Sequence, residues 1–318
     1  MSTILECLRT VGRGERGRKP LSFDQAYHVM DEYLSGQCGD DQMAMLMMLI
    51  RVQNETKEEV AGFVKAFQKR VPVIGADIDW PCYAGKRSVT GKPWHVLAAK
   101  ILADNGYKVL LHGYHEQGSA REHVSHYLDA VKIISADSAD HAKALLDQHN
   151  IAYLPLANYA PQAQVMIGWK HRYGLRTPIN TVVRALNPSG AKLGVRGSFH
   201  PGFQQLHAEV ESMIGQHCES VVSFKGVSGE SEYNPKVSQT VWMSHNGEVV
   251  SHYWPEQMLT EVPLPQSCPL GTPKSDWLTM ANAVISTMGV TLFAQTHDRE
   301  QAYEKAYIYW QNYCKSDS

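Results

Sequence analysis

Asp41-Gln-Met-Ala-Met-Leu-Met-Met-Leu-Ile-Arg-Val-Gln-Asn-Glu-Thr-Lys-Glu-Glu-Val-Ala-Gly-Phe63 reads as two consecutive helices. In the first, Met43, Leu46, Met47, Leu49 and Ile50 are apolar nearly all round, the pattern of a helix buried on more than one side. Asp40 and Asp41 set acids at its positive end. In the second, Glu58 and Glu59 precede Val60, Phe63, Val64 and Phe67, the spacing of an amphipathic helix. Upstream, Ser22 followed three residues later by Gln25 is a capping-box signature, and Gly36 closes that segment. Residues 13–19 form a glycine-spaced basic loop that no core requires. Residues 1–72 are therefore expected to form a helical lobe, and the adaptable Met-rich helix offers a surface for a second copy.

Beyond Pro72 the pattern changes. Residues 71–78 and 108–112 read as buried strands with a helix over 94–103 between them, which is the βαβ grammar of a parallel sheet. Further strands are expected at 131–134, 151–154, 192–195 and 221–224, and helices at 140–149 and 203–215. Thr177-Pro178 is a helix start and Asn187-Pro188 a stop. The expected class is α/β: an N-terminal helical bundle lobe, joined by helices from about 162–187, plus an α/β lobe over 73–318 with a mainly parallel central sheet.

Length and composition limit the alternatives. A chain of 318 residues with 43% hydrophobic content can bury a core in each of two lobes. No run of about 18 apolar residues predicts a membrane span, and no secretion signal opens the chain. Six scattered cysteines without a CxxC pair fit a reducing cytoplasm better than a disulfide framework. His217-Cys218 stands alone, without further ligands at metal spacing.

The charge pattern carries the functional signal. Between Gln148 and Ala208 there is no Asp or Glu, yet Lys170, Arg172, Arg176, Arg184, Lys192 and Arg196 all fall there. A chain of net charge −2 that leaves one stretch purely cationic is expected to build an anion-binding surface. The alternative is a gap in the acids that folding balances with distant carboxylates. Trp169, Tyr173, Tyr159 and Phe199 are interleaved with these bases and are candidates either for stacking on unpaired bases or for core packing.

The ordered motifs Ser35-Gly-Gln, the 41–63 stretch, His112-Gly113, Gly174-Leu-Arg-Thr-Pro-Ile-Asn-Thr and Leu186-Asn-Pro resemble the anthranilate phosphoribosyltransferase family, glycosyltransferase family 3, over nearly the whole chain. The resemblance implies a homodimer through the helical lobe. For an active enzyme it implies phosphoribosyl diphosphate (PRPP), magnesium and an aromatic acid as partners, with Gly85, His112, Gly113, Ser119, Arg176 and Asn180 as substrate contacts and Glu232 as a metal ligand. The chain departs from the family where that chemistry is concentrated. The family's Gly-Thr-Gly-Gly-Asp turn is here Tyr83-Ala-Gly-Lys-Arg, its Lys-His-Gly-Asn is Leu111-His-Gly-Tyr, and Ser231 replaces the first of its two magnesium acids. Loss of diphosphate ligands with retention of bases resembles the divergent YbiB-type branch. That resemblance implies a cofactor-free binder of single-stranded DNA or RNA, without sequence preference, using Lys86, Arg87, Lys170, Arg172, Arg176, Arg184, Lys192 and Arg196.

Overall fold

The computed structural model describes residues 3–215, 218–268 and 270–316. His217 lies outside them. Four helices open the chain: α1 (Thr3–Val11), α2 (Phe23–Leu34), α3 (Asp40–Gln53) and α4 (Lys57–Gln68). The expected capping box is formed, with Ser22 Oγ accepting from the Gln25 N–H at 3.2 Å and the Gln25 side chain accepting from the Ser22 N–H at 3.0 Å. Thr56 and Glu59 repeat it on α4. Glu59 also accepts the Leu21 N–H at 2.9 Å and so joins the approach to α2 to the start of α4. Burial raises its carboxyl above the ordinary value.

The α/β lobe then runs β1 (Ile78–Cys82), β2 (Lys86–Arg87), α5 (His95–Asp104), β3 (Val109–Gly113), β4 (Arg121–Glu122), α6 (Ala139–His149), β5 (Ile151–Pro155), α7 (Pro161–Tyr173), α8 (Ile179–Val182), β6 (Leu193–Ser198), α9 (Phe203–Ile214), β7 (Ser220–Lys225), β8 (Gln239–His245), β9 (Glu248–Trp254), α10 (Trp277–Thr296) and α11 (Arg299–Ser316). The main sheet has the order β5-β3-β1-β6-β7-β8-β9. Its first five members are parallel and the last two antiparallel. Side chains alternate between two cores, as a sheet covered on both faces requires. Leu110, Ala152 and Leu154 join the helical lobe, whose core also takes Met166 and Trp169 of α7 and Ile179 of α8. Val109, Leu111, Ile151 and Tyr153 face α5, α10 and α11.

Two expected strands are absent. Residues 71–77 are irregular, pinned by Ile74 N–H to Pro188 O and Gly75 N–H to Ser189 O, with Gly75 at φ 90°. Residues 131–134 leave a 3-10 turn through Lys132 in a left-handed conformation, and only Ser135 bridges to β5. The β8–β9 hairpin and the C-terminal helices were not expected. Asn246 and Gly247 turn that hairpin with φ of 49° and 82°, the conformation a two-residue loop demands. The 274–296 segment is long and apolar enough to cross a membrane, yet it is mostly buried inside the fold, which makes it a core helix.

Beneath the sheet's centre lies a charged core. Asp79 of β1 accepts from Ser189 Oγ at 2.7 Å, and Arg196 Nη1 lies 2.8 Å and His112 Nε2 3.2 Å from its carboxylate. Arg196 in turn donates to Glu211 at 2.7 Å. Burial opposes ionisation of Asp79, but His112 and Arg196 outweigh it and hold the carboxyl below its ordinary value. Asp79→Ala leaves Arg196 half-paired in the interior, and chemical denaturation is expected to show a loss of about 3–5 kcal/mol. A near-unchanged midpoint would mean that Glu211 alone satisfies the guanidinium.

Candidate functional site

The carboxyl ends of β1, β6 and β7 open toward the helical lobe, the position at which parallel α/β sheets bind ligands. The segment from Gly226 to Glu232 folds back over these ends. It can approach so closely because a Cβ on Gly197 or Gly226 would lie 2.1 Å and 1.8 Å from the Glu230 carbonyl oxygen. The closure delivers the Glu230 side chain to the turn after β1. There Glu230 Oε1 accepts the N–H of Ala84 at 2.7 Å and also that of Gly85, whose φ is 64°. Two converging backbone donors on a glycine turn are an anion cradle, and this protein's own carboxylate lies in it.

Beside it, Lys86 Nζ lies 2.5 Å from Glu232 Oε1 and 4.4 Å from the Trp94 ring centroid. Glu232 Oε2 accepts the His95 N–H at 3.0 Å and lies 3.1 Å from His95 Nδ1. Burial disfavours charge on Glu232, but Lys86 and His95 overcome it and the carboxyl is held below its ordinary value. Ser231 Oγ is occupied by Gly197 N–H and Pro81 O. These residues do not fit a magnesium diphosphate: an ammonium stands against the one matching acid, a serine replaces the other, and magnesium requires freely oriented oxygens.

Next to this closed turn lies a cavity of about 130 Å³ lined by Arg51, Arg121, Arg176, Arg184, Ser198, Phe199 and His207. Glu55 is the only carboxylate lining it among the described residues, and it already bonds Arg51 and Thr181. No described carboxylate lies within ion-pair distance of Arg121, Arg176 or Arg184. Burial depresses the Arg184 guanidinium, opposed by Glu230 and reinforced by Arg176. Partial desolvation and the neighbouring Arg121 depress Arg176 likewise. His207 Nδ1 and Ser198 Oγ are buried without a hydrogen-bond partner. At 130 Å³ the cavity lies well below the roughly 300–1,000 Å³ of ordinary ligand pockets and suits a single phosphate-sized group. A larger cavity of about 720 Å³, lined by Asp77, Lys192 and Glu219, opens at the opposite, amino ends of the strands.

The expected cationic surface is thereby corrected. Lys86 and Arg196 are fully buried ion-pair partners and cannot meet a ligand at the surface. Lys192 pairs with Glu219 at the far end of the sheet. Lys170 pairs with Glu116 at 2.5 Å. Folding thus supplies ion-pair acids for Lys170, Lys192 and Arg196 but, among the described residues, none within ion-pair distance of Arg172, Arg176 and Arg184. Arg87 and Arg172 are exposed. Trp169 and Tyr159 are core residues, whereas Phe199 and Tyr173 are exposed. Of the expected substrate contacts, His112 is buried between Tyr83 and Asp79. A side chain on Gly113 would strike Cys82 O, so strand packing accounts for that glycine. Ser119 caps Arg121 N–H, and Asn180 alone joins Arg176 at the cavity. Arg51 and Arg121 lie outside the acid-free window, so its charge pattern did not point to them.

A bundle and a mainly parallel sheet with an arginine-lined cleft between them define a phosphoribosyltransferase-type architecture. Residues 5–71 match the family model described as glycosyl transferase family, helical bundle domain. The chain is 28% identical to anthranilate phosphoribosyltransferase of Geobacillus stearothermophilus over 71% of its length, spanning 66% of that relative, just under two thirds. It is 25% identical to the uncharacterised protein YbiB of Escherichia coli over 72% of each chain. The anthranilate phosphoribosyltransferase of Saccharomyces cerevisiae in complex with PRPP and Mg shares the fold at a TM-score of 0.72 and 14% identity, covering 99% of this chain and 98% of that one. The chain is thus similar to the anthranilate phosphoribosyltransferases, in its helical lobe by the family model and over most of its length by sequence and fold.

Burial, Arg184 and Arg196 hold His207 well below its ordinary value. The unfolded chain therefore binds a proton near pH 6.5 that the folded chain refuses, so stability falls as the pH drops below about 6.5. The slope from this group reaches about 1.4 kcal/mol per pH unit. His207→Gln should flatten that slope in denaturation series between about pH 6.5 and 5. An unchanged slope would assign it to the other histidines whose values are lowered, His115, His123 and His252.

Proposed function

We propose that this protein binds single-stranded nucleic acid at the cleft mouth, as a homodimer joined through the helical lobe, and that it does not turn over a diphosphate sugar. The observation that carries the reading is Phe199. Its ring is exposed at the cavity, with Arg87 at 5.7 Å and Lys225 at 5.9 Å from its centroid. A base stacks on an exposed ring face while neighbouring cations take the flanking phosphates. Arg121, Arg176 and Arg184 behind it receive one phosphate group, with Ser198 Oγ and His207 Nδ1 as further polar contacts. Glu230 in the glycine cradle and Lys86 on Glu232 stand against a magnesium diphosphate. Exposed Leu5, Met45 and Val52 on α1 and α3 support self-association through the bundle, which sets two cleft mouths on one particle and raises the effective concentration of the second contact.

A second reading is transfer of phosphoribose from PRPP to anthranilate or a related aromatic acid, with magnesium. It is favoured by the activity named for the Geobacillus relative and by Arg176 and Asn180 beside the cavity.

Fluorescence anisotropy of a labelled single-stranded oligonucleotide across a salt series separates the two. Binding is expected to fall steeply with salt and to resist displacement by PRPP and magnesium. Phe199→Ala should cost about 1–3 kcal/mol per stacked base. The joint change Arg87→Ala, Arg176→Ala and Lys225→Ala should lower the log–log salt slope by about 0.7 for each phosphate that is no longer neutralised. No binding at physiological salt, together with turnover of anthranilate, would establish the transferase instead.

A further inference from the structure

We propose that Cys82, His95 and Glu230 form a binding site for a zinc-class divalent ion. The three converge from separate elements: Cys82 ends β1, His95 opens α5 and Glu230 lies in the loop after β7. Cys82 Sγ lies 4.0 Å from His95 Nε2, and His95 Nε2 lies 3.8 Å from Glu230 Oε2. One ligand atom from each residue falls within 4.8 Å of both others. A tetrahedral zinc ion places sulfur and nitrogen about 3.5 Å apart and nitrogen and oxygen about 3.4 Å apart, so the Cys82–His95 and His95–Glu230 pairs each need shifts of about half an ångström.

Two further observations point to an ion. Glu230 Oε2 is buried and has no hydrogen-bond partner, although Oε1 of the same carboxylate is doubly bonded by Ala84 and Gly85. An unpartnered carboxylate oxygen aimed at an imidazole and a thiol is costly unless something positive stands between them. The other imidazole nitrogen, His95 Nδ1, faces Glu232 Oε2 at 3.1 Å. Carboxylate, histidine and metal in that order is how proteins fix the tautomer that leaves Nε2 free to ligate. Lys86 in turn holds the other oxygen of Glu232. Thiolate with imidazole selects zinc over magnesium, so the site is distinct in both residues and preference from one built on paired acids.

The same atoms also follow the order of a nucleophilic triad. Cys82 is only 3% exposed and His95 fully buried, so no substrate reaches the sulfur. Burial moreover pushes the thiol well above its ordinary value, the reverse of what a nucleophile requires. On binding, the ion replaces the Cys82 thiol proton, which leaves to solvent, and nothing is oxidised or reduced. Three protein donors leave a fourth position for water. The ion would tie β1, α5 and the Glu230 loop together whichever ligand the cleft takes.

The test uses the full, untagged chain. Elemental analysis after dialysis against metal-free buffer is expected to find about one zinc per chain. Reconstitution with cobalt(II) should give a sulfur-to-cobalt charge-transfer band and the intense visible bands of a tetrahedral site. Cys82→Ser should abolish the charge-transfer band. Glu232→Gln, which leaves all three donors in place, should weaken metal affinity about 10–100-fold. Far-UV circular dichroism confirms that each variant is folded. Metal-free wild-type protein that takes up no cobalt overturns the proposal, as does a charge-transfer band that survives in Cys82→Ser.

Discussion

The carboxylate of Glu230 on the backbone N–H groups of Ala84 and Gly85 is the contact on which the site depends. A glycine turn at the carboxyl end of a first β-strand gathers positive dipole whatever its ligand. Here that potential is met from within, so the turn is satisfied before any solute arrives. The consequences spread outward. Glu232, two residues on, is brought against Lys86 and His95, and the loop lies flat on β6 and β7 only because Gly197 and Gly226 lack side chains. The excess positive charge then resides one step away, on Arg121, Arg176 and Arg184.

Much of the fold was legible because periodicity and capping are local properties. The capping box at Ser22, the paired acids opening α3 and the apolar runs at β3, β5, β6 and β7 each reflect forces acting within a few residues. Residues 71–77 and 131–134 have the composition of strands but form no ladder, the second segment making only a single bridge to β5 at Ser135, and pairing is decided by the tertiary structure. The β8–β9 hairpin was readable from Asn246-Gly247, whose positive φ values mark a two-residue turn. α10 was harder, since a helix apolar on every side carries no directional pattern.

The site was less legible than the fold because charge alone does not say where a side chain ends. Arg196 and Arg176 lie in the same acid-free window, yet one is sealed between Asp79 and Glu211 and the other stands at the rim of a cavity. The difference comes from the two carboxylates that seal Arg196, Asp79 more than a hundred residues before it and Glu211 fifteen residues after it. Tyr83 shows the converse. Its residue type alone does not place it, and the structure buries it with its hydroxyl bonded to His112 and Tyr159. The cation cluster could be anticipated as a tendency of the segment, but its membership required the three-dimensional arrangement.

The position of α10 in the chain sets an order of events during synthesis. It packs on β6 and β7 and against α5, and every strand of the sheet precedes it. On the ribosome, one face of the sheet, with Trp80, Val195, Val222 and Phe224, is therefore made long before its cover. The helical bundle can close while the chain is still growing, whereas the α/β lobe must hold an apolar surface open until α10 emerges. Premature termination anywhere after β7 and before α10 would thus release a product with a finished bundle and an unsealed sheet, a substrate for chaperones or for aggregation.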